Sequence, residues 1–156
     1  MEKGLFSIPL YSQNTPLDQI TDEITQQVVD SEKWGVKEAF FGEHISDKYE
    51  KITSSLLMAA TVSKLTKKIK LGTLTTNLNF NNPAVSASLI AMVDNLSKGR
   101  LMLGIGSGAN NSDREAVGLL NTQGHELTLE SLEIIKKILY SKTFNKYKTK
   151  NYYVSV

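Results

Sequence analysis

Ile69-Lys70-Leu71-Gly72-Thr73-Leu74-Thr75-Thr76-Asn77 is an apolar, β-branched run that turns polar at its end. Asn81-Asn82-Pro83 follows, and then residues 84–96 carry apolar side chains at helical spacing. Ser97-Lys98-Gly99 punctuates the chain before a second buried-type run, Arg100-Leu101-Met102-Leu103-Gly104-Ile105, which closes on Gly106-Ser107-Gly108. Strand, crossover helix, strand reads as a βαβ unit. Parallel strands covered on both faces give near-continuous apolar runs, and such sheets bind ligands at the carboxyl ends of their strands. A ligand is therefore expected at residues 75–77 and 106–108.

Working outward, residues 4–10 read as a first strand, with Pro9 favouring its exit because it lacks a ladder donor. A helix over 18–34 follows, its Ile20, Ile24 and Val28 at i, i+4 spacing and Gly35 stopping it. Residues 36–42 form a second strand that ends in Glu43-His44. A charged loop, 46–51, leads to a helix over about 53–65. The Lys64, Lys67, Lys68 and Lys70 cluster at its end reads as a solvated, dipole-favoured terminus. Beyond Gly108 come a polar loop and a short helical piece, 113–117, stopped by Gly118. His125-Glu126 opens a last helix over 127–140, with Leu129, Leu132, Ile135, Ile138 and Leu139 on one face. The tail, 142–156, alternates basic residues with Phe144, Tyr147, Tyr152 and Tyr153, and reads as a loop plus a short strand.

Four β-α units in strict alternation mean an α/β fold with a parallel sheet. Two architectures fit: an open doubly wound sheet, or part of a (β/α)8 barrel. A whole barrel takes about 250 residues, and these 156 residues supply four units. Four strands in barrel geometry leave two unpaired edges, an aggregation hazard unless covered. The expectation is one domain over 1–156, either half of a larger product or paired with a second copy. Residues 142–156 are then a tail or the start of an insertion.

The net charge of +2 calls for neither nucleic acid nor a membrane surface. There is no cysteine, hence no disulfide and no thiolate-held metal. The polar Tyr11-Ser12-Gln13-Asn14 cuts the first apolar run short of a signal-peptide core. No apolar run approaches the length of a bilayer span. These features describe a cytoplasmic protein.

Among residues that could carry chemistry, Gly104-Ile105-Gly106-Ser107-Gly108 has the composition of a phosphate cradle. A dinucleotide fingerprint, however, follows the first strand and opens a helix directly, whereas these glycines follow the fourth strand and enter a polar loop. They equally suit a backbone turning beneath a flat ligand or a neighbouring strand. His44 at the end of the second strand can donate or accept a proton near neutrality. Glu43-His44 lacks metal-ligand spacing, so no metal site is assigned. No Gly-x-Ser-x-Gly elbow is present.

Four segments together resemble the bacterial luciferase-like, flavin-dependent monooxygenase family. They are Phe41-Gly42-Glu43-His44; Ile69-Lys70-Leu71-Gly72-Thr73 with Asn82-Pro83 downstream; Asp94-Asn95-Leu96-Ser97-Lys98-Gly99-Arg100; and Leu103-Gly104-Ile105-Gly106-Ser107-Gly108. Gly42-Glu43-His44 followed by Glu50 and Ser54 is similar to the limonene-monooxygenase-like branch. The resemblance implies a (β/α)8 TIM barrel of which this chain is the amino-terminal half, with only the first four βα units. It implies reduced FMN and dioxygen acting on a small organic substrate, with a deazaflavin coenzyme as the alternative cofactor and a flavin reductase as a partner. His44 falls on the family's active-site histidine. Glu43, Leu74, Thr75 and Thr76 fall on its flavin-binding positions, and the family often has a non-prolyl cis peptide in that third-strand stretch. Gly106, Ser107 and His125 fall at the flavin phosphate, where luciferase itself has arginine in place of Ser107 and of His125. The alternative is a non-catalytic, flavin-binding or dimerising half-barrel module. A homodimer, or association with the missing half, follows from either reading.

Overall fold

The computed structural model describes residues 2–143 and 146–155, so Phe144 of the tail lies outside the described residues. The elements run β1 (Gly4–Ser7), α1 (Leu17–Lys33), β2 (Glu38–Phe41), α2 (Ser55–Ser63), β3 (Lys70–Asn77), a 3-10 turn (Leu78–Phe80), α3 (Pro83–Ser97), β4 (Leu101–Gly106), α4 (Asn111–Ala116), α5 (Gly124–Tyr140), β5 (Lys146–Lys148) and β6 (Tyr153–Ser155). The chain divides into two compact units: residues up to Thr76 with Val93–Ile105, and Asn77–Met92 with the residues from Gly106 onward. No helix among the described residues is long and apolar enough to cross a membrane.

The first unit is built on a sheet in the order β1-β2-β3-β4. β1 to β3 are parallel, with Phe6 beside Phe40 beside Gly72 in one row and Ser7 beside Phe41 beside Thr73 in the next. Successive residues of a strand point to opposite faces, so the two rows belong to different sides. The Ser7 row is buried, with Phe41 and Thr73 almost fully so. On that side α1 packs against β1 and α2 packs against β2. α1 contributes Ile20, Ile24 and Val28, all buried, at the spacing expected from the sequence. α2 is apolar nearly all round, burying Leu56, Met58, Ala59 and Val62. Its first turn is capped by Ser54, whose hydroxyl accepts from the Leu57 N–H at 3.3 Å. On the other side Phe6 remains 49 % exposed, and the Phe40 ring occupies the space a side chain at Gly72 would need.

Two charged side chains hold the amino-terminal ends of β3 and β4. The Glu32 carboxylate accepts from the backbone N–H groups of Lys67, Lys68 and Ile69 at 3.0, 2.6 and 2.8 Å. Arg100 donates to the carbonyls of Ser63, Thr66, Ile69 and Ser97 and to the Thr66 hydroxyl. The side chains of Lys64, Lys67, Lys68 and Lys70 are exposed, as expected of a solvated terminus.

In the second unit α5 packs against the 3-10 turn. β5 and β6 form an antiparallel hairpin, Lys146 beside Ser155 and Lys148 beside Tyr153. Glu130 on α5 holds the hairpin's turn, accepting from the Thr149 hydroxyl at 2.6 Å and from Asn151 Nδ2 at 2.9 Å.

The structure corrects several boundaries. The first strand ends at Ser7 and the second begins at Glu38; Pro9 has no N–H to give the ladder, and the Val36 N–H is spent on the Ser31 carbonyl. The last helix begins at Gly124, so His125 stands inside its first turn. Its buried stripe is Gly124, Thr128, Ser131, Ile134 and Ile135, whereas Leu129 is 49 % exposed. Of the residues expected on its apolar face, Ile135 is buried and Leu132, Ile138 and Leu139 are half-buried, so Leu129 is the one that faces outward. The tail holds two short strands rather than one.

Candidate active site

Glu43, His44, Leu74, Thr75 and Thr76 lie in the first unit; Gly106, Ser107 and His125 lie in the second. In the first unit these residues occupy the carboxyl ends of β2 and β3. A Cβ at Gly42 would meet the Ile8 side chain, so the two strand ends pack closely there. The strand thus delivers Glu43 and His44 past a close contact with the exit of β1.

His44 is paired. Its Nε2 lies 2.9 Å from Glu50 Oε2, and both side chains are about one quarter exposed. The loop that returns Glu50 to the histidine is shaped by Asp47, whose Oδ1 accepts from the N–H groups of Tyr49 and Glu50 at 2.7 and 2.9 Å. Those two bonds, led by that of Glu50 and assisted by the proximity of His44, hold the Asp47 carboxyl below the usual range. The His44 N–H also donates to the Ile52 carbonyl at 2.9 Å, fixing the backbone from which the imidazole projects. Ile8, Gly42, Glu43, His44, Glu50 and Ile52 help line a recess of about 10 Å³, room for one water.

The loops after β1 and β2 are joined over this end of the sheet. Tyr11 N–H donates to the Tyr49 carbonyl at 3.0 Å, and Lys51 Nζ donates to the carbonyls of Gln13 and Thr15 at 2.7 and 2.8 Å. Leu10, Ile45 and Tyr49 on these loops are exposed.

On β3 the Leu74–Thr75 peptide is cis. Leu74 is 44 % exposed, Thr75 half-buried and Thr76 buried. Thr76 is joined to Glu43 through Ser55, a residue the sequence reading did not single out. Ser55 N–H and Oγ–H both donate to Glu43 Oε2, at 3.0 and 2.6 Å, and Ser55 Oγ lies 2.9 Å from Thr76 Oγ1. A Ser-Ser pair opening an apolar helix was the only available signal, and it reads equally well as a plain cap.

The glycines after β4 have separate reasons. A side chain at Gly104 would collide with the Thr73 carbonyl of the neighbouring strand, and the Thr73 hydroxyl bridges to the Gly104 carbonyl at 2.8 Å. Close strand packing, not a phosphate, requires this residue. Within the second unit Gly108 has φ +69° and lies under the Phe80 ring.

Also in the second unit, the Ser107 carbonyl accepts from Asn79 Nδ2 at 3.1 Å. A Cβ added to Gly124 would lie 3.1 Å from that carbonyl and 3.6 Å from Arg114 Nη1. Ser107 therefore sits at the amino-terminal end of α5, while His125 in that first turn is exposed. Arg114 spends Nη2 on the carbonyls of Leu119, Leu120 and Thr122. Its Nε, and the Asn79 Oδ1, are buried without hydrogen-bond partners. Unpaired polar atoms of this kind call for an explanation. A helix amino terminus with an adjacent guanidinium fits a phosphate monoester, and a buried acceptor fits a hydroxyl of the chain that carries it. Nothing in the sequence distinguished Asn79 or Arg114 from ordinary loop and helix residues.

The family model for luciferase-like monooxygenases matches residues 2–155. 4-Hydroxyprotoasukamycin monooxygenase of Streptomyces nodosus subsp. asukaensis is 34 % identical over 108 residues, 69 % of this chain and 29 % of that protein. Limonene 1,2-monooxygenase of Rhodococcus erythropolis is 25 % identical over 140 residues, 90 % of this chain and 36 % of that protein. Among solved structures, the oxygenating constituent of 3,6-diketocamphane monooxygenase from Pseudomonas putida, a type II Baeyer–Villiger monooxygenase in complex with FMN, superposes with a TM-score of 0.94 at 27 % identity. That superposition covers 99 % of this chain and 43 % of the other. The chain thus spans about a third of the length of these curated relatives, and its sheet and helices correspond to part of a TIM barrel. With nearly every residue matched, the chain belongs to the luciferase-like monooxygenase family.

Proposed function

We propose that this chain supplies the amino-terminal half of a flavin-dependent monooxygenase that uses reduced FMN and dioxygen on a small organic substrate. The observation that carries this reading is the His44–Glu50 pair at the carboxyl end of β2, beside loops that expose Leu10, Ile45 and Tyr49. Bound reduced FMN supplies the electrons that activate dioxygen. The chain's own residues do the rest. His44, oriented by Glu50, holds or passes a proton at its imidazole beside the reacting centre. Leu74 and Thr75 offer an apolar and polar wall to a flat ring, and the joined loops exclude water from it. Taken by itself, the second unit offers Ser107, His125 and the Gly106 backbone, with the dipole of the α5 terminus, as groups suited to a phosphate. A flavin reductase delivers the reduced cofactor. The exposed sheet face, with Phe6 and Leu74, is completed by the other half of a barrel or by a second copy of the chain.

The test is a fluorescence titration of the 156-residue chain with FMN, followed by oxygen consumption with reduced FMN. Saturable quenching in the micromolar range is expected. His44→Ala should retain that affinity and lower oxygenation by about 100-fold or more, the usual contribution of a positioned acid–base group. Wild-type turnover in that variant would remove His44 from the chemistry. A second reading, a flavin-binding or dimerising module without catalysis, is favoured by Ser107 and His125, which offer no permanent bidentate fork for a phosphate. Binding of FMN without oxygen consumption would select it.

A further inference from the structure

The Glu43–Ser55–Thr76 chain has a direction that follows from proton counting. Glu43 Oε2, as a carboxylate, only accepts hydrogen bonds. Ser55 has one hydroxyl proton, and the 2.6 Å contact spends it on Glu43. The 2.9 Å contact between Ser55 Oγ and Thr76 Oγ1 is then satisfied only with Thr76 as donor. Thr76 Oγ1 is left with lone pairs alone. Ser55 is 0 % and Thr76 6 % exposed, so water competes little for these bonds. The Ser55 N–H on the same carboxylate oxygen, at 3.0 Å, fixes the serine at the start of α2 and removes any slack from the relay.

We propose that Glu43 and Ser55 are positioning residues that make Thr76 an acceptor-only hydroxyl at the carboxyl end of β3, where it receives an N–H donor of the bound ligand. Glu43 acts through Ser55 and does not itself touch the ligand. The identity of the ligand rests on the flavin reading above: the isoalloxazine ring carries an N3–H donor between two carbonyls on its polar edge, and an acceptor-only hydroxyl pairs with that donor and repels a ring carbonyl. The direction of the relay stands independently of that reading.

Two measurements separate the two claims. In the ligand-free chain, the Thr76 hydroxyl proton should be observable by NMR as a slowly exchanging signal, and Ser55→Ala should abolish its protection while Ser55→Thr restores it. Fast exchange in the wild type, or protection that survives Ser55→Ala, overturns the relay. Should Ser55→Ala fail to fold, Glu43→Gln reads the same quantity, because a neutral amide no longer commits the serine proton. In the FMN titration, Thr76→Val should weaken binding by about 5- to 10-fold, the worth of one hydrogen bond, and Thr76→Ser should stay within about twofold. Equal affinity in Thr76→Val overturns the ligand contact. A wild type that does not bind FMN overturns the flavin reading together with that contact, and the exchange measurement then decides the relay on its own.

Discussion

At the residue scale, the His44–Glu50 pair selects which imidazole nitrogen carries the proton. Glu50 Oε2 sits 2.9 Å from Nε2 and only accepts, so the neutral imidazole is held as the Nε2–H tautomer. Long-range proton–nitrogen correlation spectra of the imidazole should show a single Nε2–H form, and Glu50→Ala should show a mixture of tautomers. A mixture already in the wild type would mean that Glu50 orients nothing. His44 stands where the sequence reading put it, just past the carboxyl end of the second strand. Its pairing was not legible from the residues, since six positions separate the two side chains. Their meeting depends on the Asp47 turn, whose geometry is a matter of two backbone hydrogen bonds. Asn79 and Arg114 were invisible for a related reason: their unpaired atoms exist only once the backbone around α5 has closed on them.

At the scale of elements, apolar spacing located the helices, and the small residues buried beside the apolar ones did not declare themselves. α1 buries the expected Ile20, Ile24 and Val28. α5 buries the expected Ile135 together with Ile134, and beside them the small residues Gly124, Thr128 and Ser131, while Leu129 is exposed. The connection from α2 to β3 shows how charge replaces hydrophobic patterning in a turn. There Glu32 accepts three consecutive backbone N–H groups, and Arg100 gathers carbonyls from Ser63 to Ser97. Partial burial alone would raise the Glu32 carboxyl. The N–H donors of Ile69, Lys68 and Lys67, with Arg100, outweigh it and hold the group below its ordinary value. A carboxyl depressed in the folded state stabilises the fold above its unfolded pKa, and that stability is lost as pH falls through the folded one. Glu32→Gln is therefore expected to cost about 1–2 kcal/mol at neutral pH, the worth of a charge-assisted bond in a partly exposed position. In urea denaturation the gap between variant and wild type should narrow as the pH drops below the ordinary glutamate range. A gap independent of pH would show that the carboxylate's charge contributes nothing to this junction.

At the scale of the whole molecule, the sheet poses the problem that any further copy or segment must solve. Its order, β1-β2-β3-β4, leaves the outer edges of β1 and β4 without a strand neighbour among the described residues. One face is covered by α1 and α2, while Phe6 at 49 % and Leu74 at 44 % exposure mark the other. Unpaired edges and an open apolar face together invite strand pairing, and in relatives that this chain spans by a third the remaining length offers material to supply it. The alternation of β and α units made the edges countable in the sequence. The open face was not countable, because Phe40 and Phe41 are equally apolar and only the register assigns Phe41 to the covered side. The chain alone should consequently self-associate at micromolar concentration in light scattering. Phe6→Glu combined with Leu74→Glu should weaken that association by about tenfold or more, since each places a charge where an apolar side chain would be buried. A uniformly monomeric wild type at those concentrations would mean that the face tolerates water unaided, and that completion of a barrel is not what holds this half in solution.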